Sequence, residues 1–190
     1  MTNAYRQDVT IEAGDFAAPA TVKVWDPFVR GFHWLLVALF VLAYATGDEV
    51  ESVHIAAGYA IAGLLALRIL WGFVGPRHAR FSDFVRSPRA ALGYAREALL
   101  LRAPRYLGHN PAGGLMVVAL IVMLAATCGT GYLMTTDAYW GSEAMEEVHE
   151  VLANATVALI LLHVLGVIFA SFEHRENLVK AMVTGRKRAQ

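Results

Sequence analysis

The residues best suited to chemistry in this sequence are its histidines, seven among 190 residues. Four of them, His33, His54, His149 and His163, lie within or at the edge of long apolar stretches. Ionisable side chains in such stretches are rare and usually serve a function. The single cysteine, Cys128, excludes an internal disulfide and a paired-cysteine zinc site, and it is expected to be a packed side chain.

The apolar stretches themselves predict a membrane protein. The chain is 57% hydrophobic and 17% charged, with a mean hydropathy of +0.47. Its formal net charge of +0 argues against a basic nucleic-acid binder. A helix needs about 20 mostly apolar residues to cross the hydrocarbon core, which predicts an all-α integral membrane four-helix bundle with helices at 29–47, 53–74, 112–135 and 147–172. Residues 1–24 lack the apolar core of a signal peptide, so the first helix is expected to remain as an anchor.

Charge placement predicts the orientation of this bundle. All sixteen Lys and Arg residues lie in the segment up to Arg30, the connection 77–105, the tail from Arg175, or at Arg68 near the same end. The two remaining connections contain none. By the positive-inside rule, both termini are expected in the cytoplasm and the protein in the bacterial cytoplasmic (inner) membrane. A soluble helical bundle would have no reason to segregate its cations in this way.

Three segments outside the spans complete the predicted organisation. Residues 1–24 are expected to form a mobile cytoplasmic arm, residues 25–175 the transmembrane domain, and residues 176–190 a basic cytoplasmic tail. Ser87–Leu101 is predicted to be helical because Pro88 suits a first helical turn. Its arginines and leucines fit a helix at the membrane interface, and a solvated loop helix is the alternative. His78 and His174 are expected to be solvated.

Helix direction pairs the four membrane histidines by depth. His149 and His163 are fourteen residues apart, a rise of about 21 Å and a turn only about 40° short of four full turns. They therefore share one face of the fourth helix at opposite depths. The first helix places His33 level with His163, and the second places His54 level with His149. The sequence thus predicts an inner and an outer histidine pair, each contributed by two helices.

Two facing imidazoles in a bundle indicate a haem iron with two axial histidines. Zinc would need further ligands at each level, and the sequence supplies none. Gly58 and Gly166 follow His54 and His163 by about one turn and could admit a flat ring, although helix packing alone also explains such glycines. Glycine pairs 113/114 and 129/131 mark the two ends of the third helix. Arg30 and Arg68 lie at the inner level, where they could bind haem propionates or extend to the interface.

The same residues resemble the prokaryotic cytochrome b561 / nickel-hydrogenase b-type cytochrome superfamily. The similar motifs, from about Val24 to the C-terminus, are Val24-Trp25-Asp26-Pro27, Arg30-Gly31-Phe32-His33-Trp34, His54 with Gly58-Tyr59, Arg68–Phe73, Gly108-His109-Asn110-Pro111, His149-Glu150 and His163 with Gly166-Val167. The resemblance implies a four-helix diheme cytochrome b that passes electrons between the quinone pool and a partner outside the cytoplasmic membrane. It also implies that His33, His54, His149 and His163 are the axial ligands of two haem b groups.

The predicted function is therefore transmembrane electron transfer, by an electron-transfer protein or redox-complex subunit rather than a stand-alone oxidoreductase. Three alternatives remain open. One is a superoxide oxidase that reduces ubiquinone, and another is the b-type cytochrome subunit of a hydrogenase or dehydrogenase. The third is a transporter or scaffold without haem, which an absorption spectrum lacking a reducible b-type haem would favour.

Two partner sites are predicted from polar residues at the ends of the bundle. A quinone, ubiquinone or menaquinone, is expected at the inner end, where Arg30, Trp34, His109 and Asn110 offer hydrogen-bond donors; the outer end offers mainly acids with Tyr139 and Trp140. The outer loops carry eight acids and no cation: Asp48, Glu49, Glu51, Asp137, Glu143, Glu146, Glu147 and Glu150. Such a surface would repel superoxide and attract a cationic periplasmic carrier, such as a c-type cytochrome or a basic redox subunit.

Overall fold

The computed structural model describes residues 20–47 and 49–189. Its elements are β1 (Thr21–Lys23), α1 (Pro27–Thr46), α2 (Glu51–Val74), a short 3-10 turn (Arg77–Ala79), α3 (Phe81–Phe84), α4 (Pro88–Leu99), α5 (Pro111–Met134), α6 (Glu143–Glu173), α7 (Leu178–Thr184) and β2 (Arg186–Arg188). Helices α1, α2, α5 and α6 are long and apolar enough to cross a membrane. The predicted all-α bundle of four membrane helices is confirmed, with α6 starting four residues earlier than expected.

Side-chain caps and prolines fix where the helices begin. Asp26 Oδ1 accepts hydrogen bonds from the amides of Phe28 (3.0 Å) and Val29 (3.2 Å), and Pro27 occupies the first turn of α1. Asn110 does the same for α5 by accepting from Gly113 at 2.7 Å. Such caps satisfy amides that have no partner inside the helix, and proline suits a position where no amide is needed.

The four membrane helices pack as two hairpins. Helix α1 lies along α2, α5 lies along α6, and α2 contacts α5 between them. The buried core where they meet consists mainly of small and branched apolar residues, namely Ala43, Ala57, Ile61, Leu65 and Leu124. Small residues at such contacts let membrane helices approach closely. Most large apolar side chains of α1 and α6 are exposed on the outside of the bundle, as lipid-facing side chains must be.

The two ends of the bundle differ in construction. We call the end that carries both chain termini the terminal end, and the end formed by the connections α1–α2 and α5–α6 the loop end. At the terminal end, α3 is wedged between α2 and α5. A Cβ at Gly72 would overlap the Phe81 ring, and one at Gly114 would overlap the Phe84 carbonyl. These two glycines therefore allow α3 to pack closely against α2 and α5. The room beside Gly114 is occupied by Phe84 and is not free for a cofactor.

The segments 21–25 and 185–188 are hydrogen-bonded to each other. Strand β1 pairs antiparallel with β2, with Val22 opposite Lys187. The Gly185 carbonyl accepts from the amides of Val24 (2.9 Å) and Trp25 (3.1 Å), and Gly185 adopts φ +78°, a conformation that favours glycine. The prediction of a mobile arm through residue 24 is therefore wrong for residues 21–24, which are held by these hydrogen bonds. The predicted tail from residue 176 contains α7 and β2. Residues 1–19, the rest of the expected arm, lie outside the described residues.

Candidate functional site

Two of the predicted histidines face each other near the loop end. The rings of His54, on α2, and His149, on α6, have centroids 5.9 Å apart and an interplanar angle of 78°. His54 Nδ1 lies 2.9 Å from the Ala43 carbonyl oxygen. Because a carbonyl can only accept, this contact places the proton on Nδ1 and leaves Nε2 of His54 with a free lone pair.

The partner ring is oriented in the same way by α5. His149 Nδ1 lies 3.0 Å from Thr130 Oγ1. The Thr130 hydroxyl donates back to its own helix, at 2.9 Å to the Thr127 carbonyl, so its oxygen is left to accept from His149. Gly131 makes this approach possible, since a Cβ there would lie 3.1 Å from His149 Cε1. Both rings of the pair therefore have Nε2 available as a metal ligand.

The second pair lies toward the terminal end. His33 is on the first turns of α1 and His163 on the last third of α6. His33 Nδ1 is buried and has no hydrogen-bond partner among the described residues. The Trp34 ring meets the His33 ring edge-on, with centroids 4.9 Å apart. An unpartnered buried nitrogen is costly, and a ligand role for this ring remains a prediction.

Space accompanies both pairs. Each pair joins α6 to α1 or α2, and neither of these helices packs closely along α6. A Cβ added at Gly58 or Gly166 would meet nothing within 4 Å. Within the described ranges, no group of three or more His, Cys, Asp or Glu residues could hold a metal ion. Two-imidazole sites beside open space fit an iron porphyrin, whose ring supplies the other four ligands, and they do not fit zinc.

Comparison with known proteins identifies the family of this chain. A family model described as prokaryotic cytochrome b561 matches residues 24–185. The chain belongs to the prokaryotic cytochrome b561 family. This family implies haem b and an electron-transfer role for a b-type cytochrome in a membrane.

Three relatives of this cytochrome carry the same name, "Probable Ni/Fe-hydrogenase B-type cytochrome subunit". The protein of Bradyrhizobium diazoefficiens is 24% identical, covering 88% of this chain and 86% of its own length. Those of Rhizobium leguminosarum bv. viciae and Azotobacter vinelandii are 23% and 25% identical, covering 88% and 93% of this chain and 89% and 94% of their own lengths. No solved structure matches. The similarity extends over all four membrane helices.

The arginines predicted to bind propionates are already engaged in the cytochrome's terminal end. Arg68 is 2% exposed, donates to the Ala79 carbonyl at 3.2 Å, and lies 5.4 Å from the centroid of the Phe81 ring. Arg30 donates to the Val183 carbonyl at 2.6 Å, while its Nε is buried without a partner. Arg68 therefore does not extend to the interface, and a propionate role remains a prediction for both residues.

The residues predicted to bind a quinone also have structural roles. The His109 ring lies between Trp25 and Phe84, with centroids at 4.7 Å and 4.6 Å. Burial, reinforced by the charges of Arg68 and Lys187, lowers the pKa of His109 to about 3, so the ring is neutral at physiological pH. Its Nδ1 is buried and has no hydrogen-bond partner in the described part of the chain. Asn110 uses its side-chain oxygen to cap α5, and only its amide nitrogen remains to donate.

The acidic residues of the loop end are exposed and unpaired. Every described acid of the predicted patch, Glu49, Glu51, Asp137, Glu143, Glu146, Glu147 and Glu150, is exposed, and none forms an ion pair with a described residue. Asp48 lies outside the described residues. Tyr139 and Trp140 are exposed beside this patch.

Several polar contacts of the histidines could not be predicted from the sequence pattern. Thr130 lies on a helix without histidine, and Ala43 contributes only a carbonyl. His174 is largely buried, with Nε2 3.4 Å from the Tyr94 hydroxyl, so the expected solvated position is wrong. Burial, with the charge of Glu173 adding to it, raises the pKa of Tyr94 to about 12. Contacts of this kind depend on tertiary packing, and spacing along one helix cannot predict them.

Thr130→Val should weaken the loop-end histidine pair selectively. The valine keeps the volume but removes the acceptor that orients His149, and loss of such a contact typically costs about 10- to 100-fold in metal-site affinity or activity. We expect partial loss of one haem, or a shift of one of two midpoint potentials, in a redox titration monitored by absorbance. Thr156→Val, at a buried threonine that bonds only the Leu152 carbonyl and Thr127, is the matched control. Identical titrations for both variants would contradict a role for Thr130.

Proposed function

We propose that this chain transfers electrons across the cytoplasmic membrane through two haem b groups, each held by two histidines. His54 and His149 would hold one near the loop end, and His33 and His163 the other near the terminal end. The observation that carries the proposal is the loop-end pair, whose rings are oriented by Ala43 and Thr130 so that both Nε2 atoms are free. With the cations at the terminal end, that end faces the cytoplasm.

The chain's own residues would position and tune the redox groups. Bound haem b supplies a one-electron couple. The four histidines fix the two centres at opposite depths along α6, about 21 Å apart by helix rise. Ala43 and Thr130 raise the basicity of their histidine ligands by accepting from Nδ1, and the apolar helices exclude water, which sets the local polarity.

The electron partners are proposed from the two ends of the bundle. A quinone, ubiquinone or menaquinone, would bind at the terminal end beside His109 and Asn110. A cationic periplasmic carrier, such as a c-type cytochrome or a basic redox subunit, would dock on the acids of the loop end. The relatives' printed name adds a second candidate, the membrane cytochrome of a hydrogenase. A superoxide oxidase is the weaker alternative, because the exposed acids would repel a small anion.

Single substitutions of the four histidines test the haem assignment. His54→Ala or His149→Ala should abolish one haem, and His33→Ala or His163→Ala the other, because one remaining axial ligand holds b-type haem poorly. Haem per polypeptide, measured as the pyridine haemochrome, should fall from two to one in each variant. His78→Ala is the control, because His78 contacts Asp83 outside the membrane helices. Two haems retained in any of the four variants would contradict that ligand.

Quinol-driven haem reduction tests the terminal-end site. His109→Ala and Asn110→Asp each remove a hydrogen-bond donor, and Asn110→Asp keeps the oxygen that caps α5. We expect a roughly tenfold slower reduction by quinol, the scale of one hydrogen bond of about 1.4 kcal/mol, with unchanged reduction by dithionite. Gly63→Ala is the control, since a Cβ at Gly63 meets nothing within 4 Å. Unchanged quinol-driven rates in both test variants would remove these residues from the site.

Salt dependence tests the acidic docking surface. Exposed charges are screened over about 8 Å at physiological ionic strength, so electron transfer to a basic c-type cytochrome should slow as salt rises. Glu143→Gln, Glu146→Gln and Glu147→Gln combined should slow it several-fold at low salt and little at high salt. Stopped-flow haem oxidation is the measurement, and Glu97→Gln, at an exposed acid of α4, is the control. A rate indifferent to both salt and the triple substitution would refute docking at this surface.

A further inference from the structure

A cleft unrelated to the histidine pairs lies where α6 leaves the bundle at the terminal end. One part, of about 450 Å³, is lined by Leu101, Ser171, Phe172, Glu173 and Arg175. An adjoining part, of about 440 Å³, shares Ser171, Phe172 and Arg175 and continues along Val167 and Ile168. The cleft therefore begins beside the apolar run of α6 and ends beside the polar segment that follows it.

Two cations at or next to this cleft have no side-chain partner among the described residues. The side chain of Arg175 is exposed and makes no hydrogen bond or ion pair with a described residue, and the same holds for Arg102, which follows Leu101 directly. Other cations of the terminal end are engaged: Arg105 pairs with Glu176 at 2.8 Å, and Arg77 pairs with Asp83 at 3.2 Å. The Arg175 side chain thus lines the cleft without a partner among the described residues, and Arg102 follows the lining residue Leu101 directly in the sequence.

Two acids line the cleft, Glu173 and Glu176, and neither of them neutralises these arginines. The Glu176 side chain is 8% exposed and pairs with Arg105 at 2.8 Å. The Glu173 side chain is 6% exposed, and its Oε1 accepts from the Ala103 amide at 3.0 Å. Its Oε2 is buried and lies 3.9 Å from His174 Nε2. The negative charge is therefore enclosed behind the wall, and the surface presented to a ligand is cationic.

Helix α4 places the polar end of this cleft at the level of lipid headgroups. Leu92 and Leu99 are 73% and 78% exposed, and at 100° per residue they share one stripe of the helix. Arg89 and Arg96 form the adjacent stripe, on the side away from the buried Ala91. An apolar stripe bordered by arginines is typical of a helix lying in the membrane interface. Leu100 and Leu101, also more than half exposed, continue this apolar surface to the cleft.

We propose that this cleft binds an anionic phospholipid. The headgroup phosphate would lie between Arg102 and Arg175, and an acyl chain would follow Phe172, Ile168 and Val167. Arginine suits phosphate by charge and by its fork of donors, and basic recesses between membrane helices bind anionic headgroups. A neutral quinone would gain nothing from two unpaired cations, and a soluble anion would gain nothing from the apolar wall. This site is independent of the electron-transfer proposal.

Lipid retention by the full-length haem protein tests this proposal. The protein is purified in mild detergent, equilibrated with mixed micelles of phosphatidylcholine and phosphatidylglycerol, and its bound lipid is quantified by mass spectrometry. Each interfacial cation contributes about fivefold to anionic-lipid binding. The double variant Arg102→Gln with Arg175→Gln should therefore retain phosphatidylglycerol roughly 25-fold more weakly, and Arg102→Lys with Arg175→Lys should recover most of the loss.

The control removes two exposed cations from the same end, by Lys23→Gln with Lys180→Gln, and neither residue lines the cleft. Haem content is measured in the same samples and should be unchanged in all variants. Three outcomes would overturn the proposal: equal loss of phosphatidylglycerol in test and control variants, equal retention of phosphatidylcholine and phosphatidylglycerol by the unsubstituted protein, or displacement of the lipid by ubiquinone with no effect of the arginine substitutions.

Discussion

An imidazole enclosed by apolar helices needs a partner for each of its two nitrogens, and this requirement governs the centre of the molecule. Nδ1 of His54 and Nδ1 of His149 are satisfied by a backbone carbonyl and a threonine hydroxyl. The Nε2 lone pairs of these two rings then remain available as ligands. Helix α6 packs along α5 and does not pack closely along α1 or α2. The α2 and α6 histidines therefore meet across two helices that share few other contacts.

Acidic side chains are paired with cations at the terminal end of the bundle, and the described acids of the loop end are unpaired. At the terminal end, burial alone would raise the pKa of Glu176, but Arg105 and Lys187 lower it below its usual value. Burial likewise would raise the pKa of Asp83, and hydrogen bonds from His78 and Arg77 lower it. Glu176 and Asp83 therefore connect neighbouring segments of the terminal end through hydrogen bonds and ion pairs. At the loop end, the acids are exposed and have no cationic neighbour among the described residues, so their field extends into solvent. The asymmetry suits one end to holding structure and the other to meeting a charged partner.

The sequence was sufficient to predict the membrane helices, and it also predicts two histidine levels, because both depend on local quantities. Apolar length fixes a span, and the fourteen-residue spacing of His149 and His163 fixes a face. The terminal cap could not be predicted in this way. Residues 21–24 looked like a polar arm, yet they pair with residues near the C-terminus. Likewise, Gly114 was identified only as one of two glycines at an end of the third helix, and it accommodates Phe84. These contacts join segments far apart in the chain, and no local pattern specifies them.

The pairing of β1 with β2 and the position of α6 have a consequence for biosynthesis. Both histidine pairs include a residue of α6, the last membrane helix to leave the ribosome, so neither pair can form while α1, α2 and α5 insert. The contact between Arg30 and Val183 spans 153 positions, and β1 must wait for β2, which follows all four membrane helices in the chain. The segment β1 therefore stays unpaired while the membrane helices are synthesised. Pairing of β1 with β2 can occur only after the last of these helices has been made.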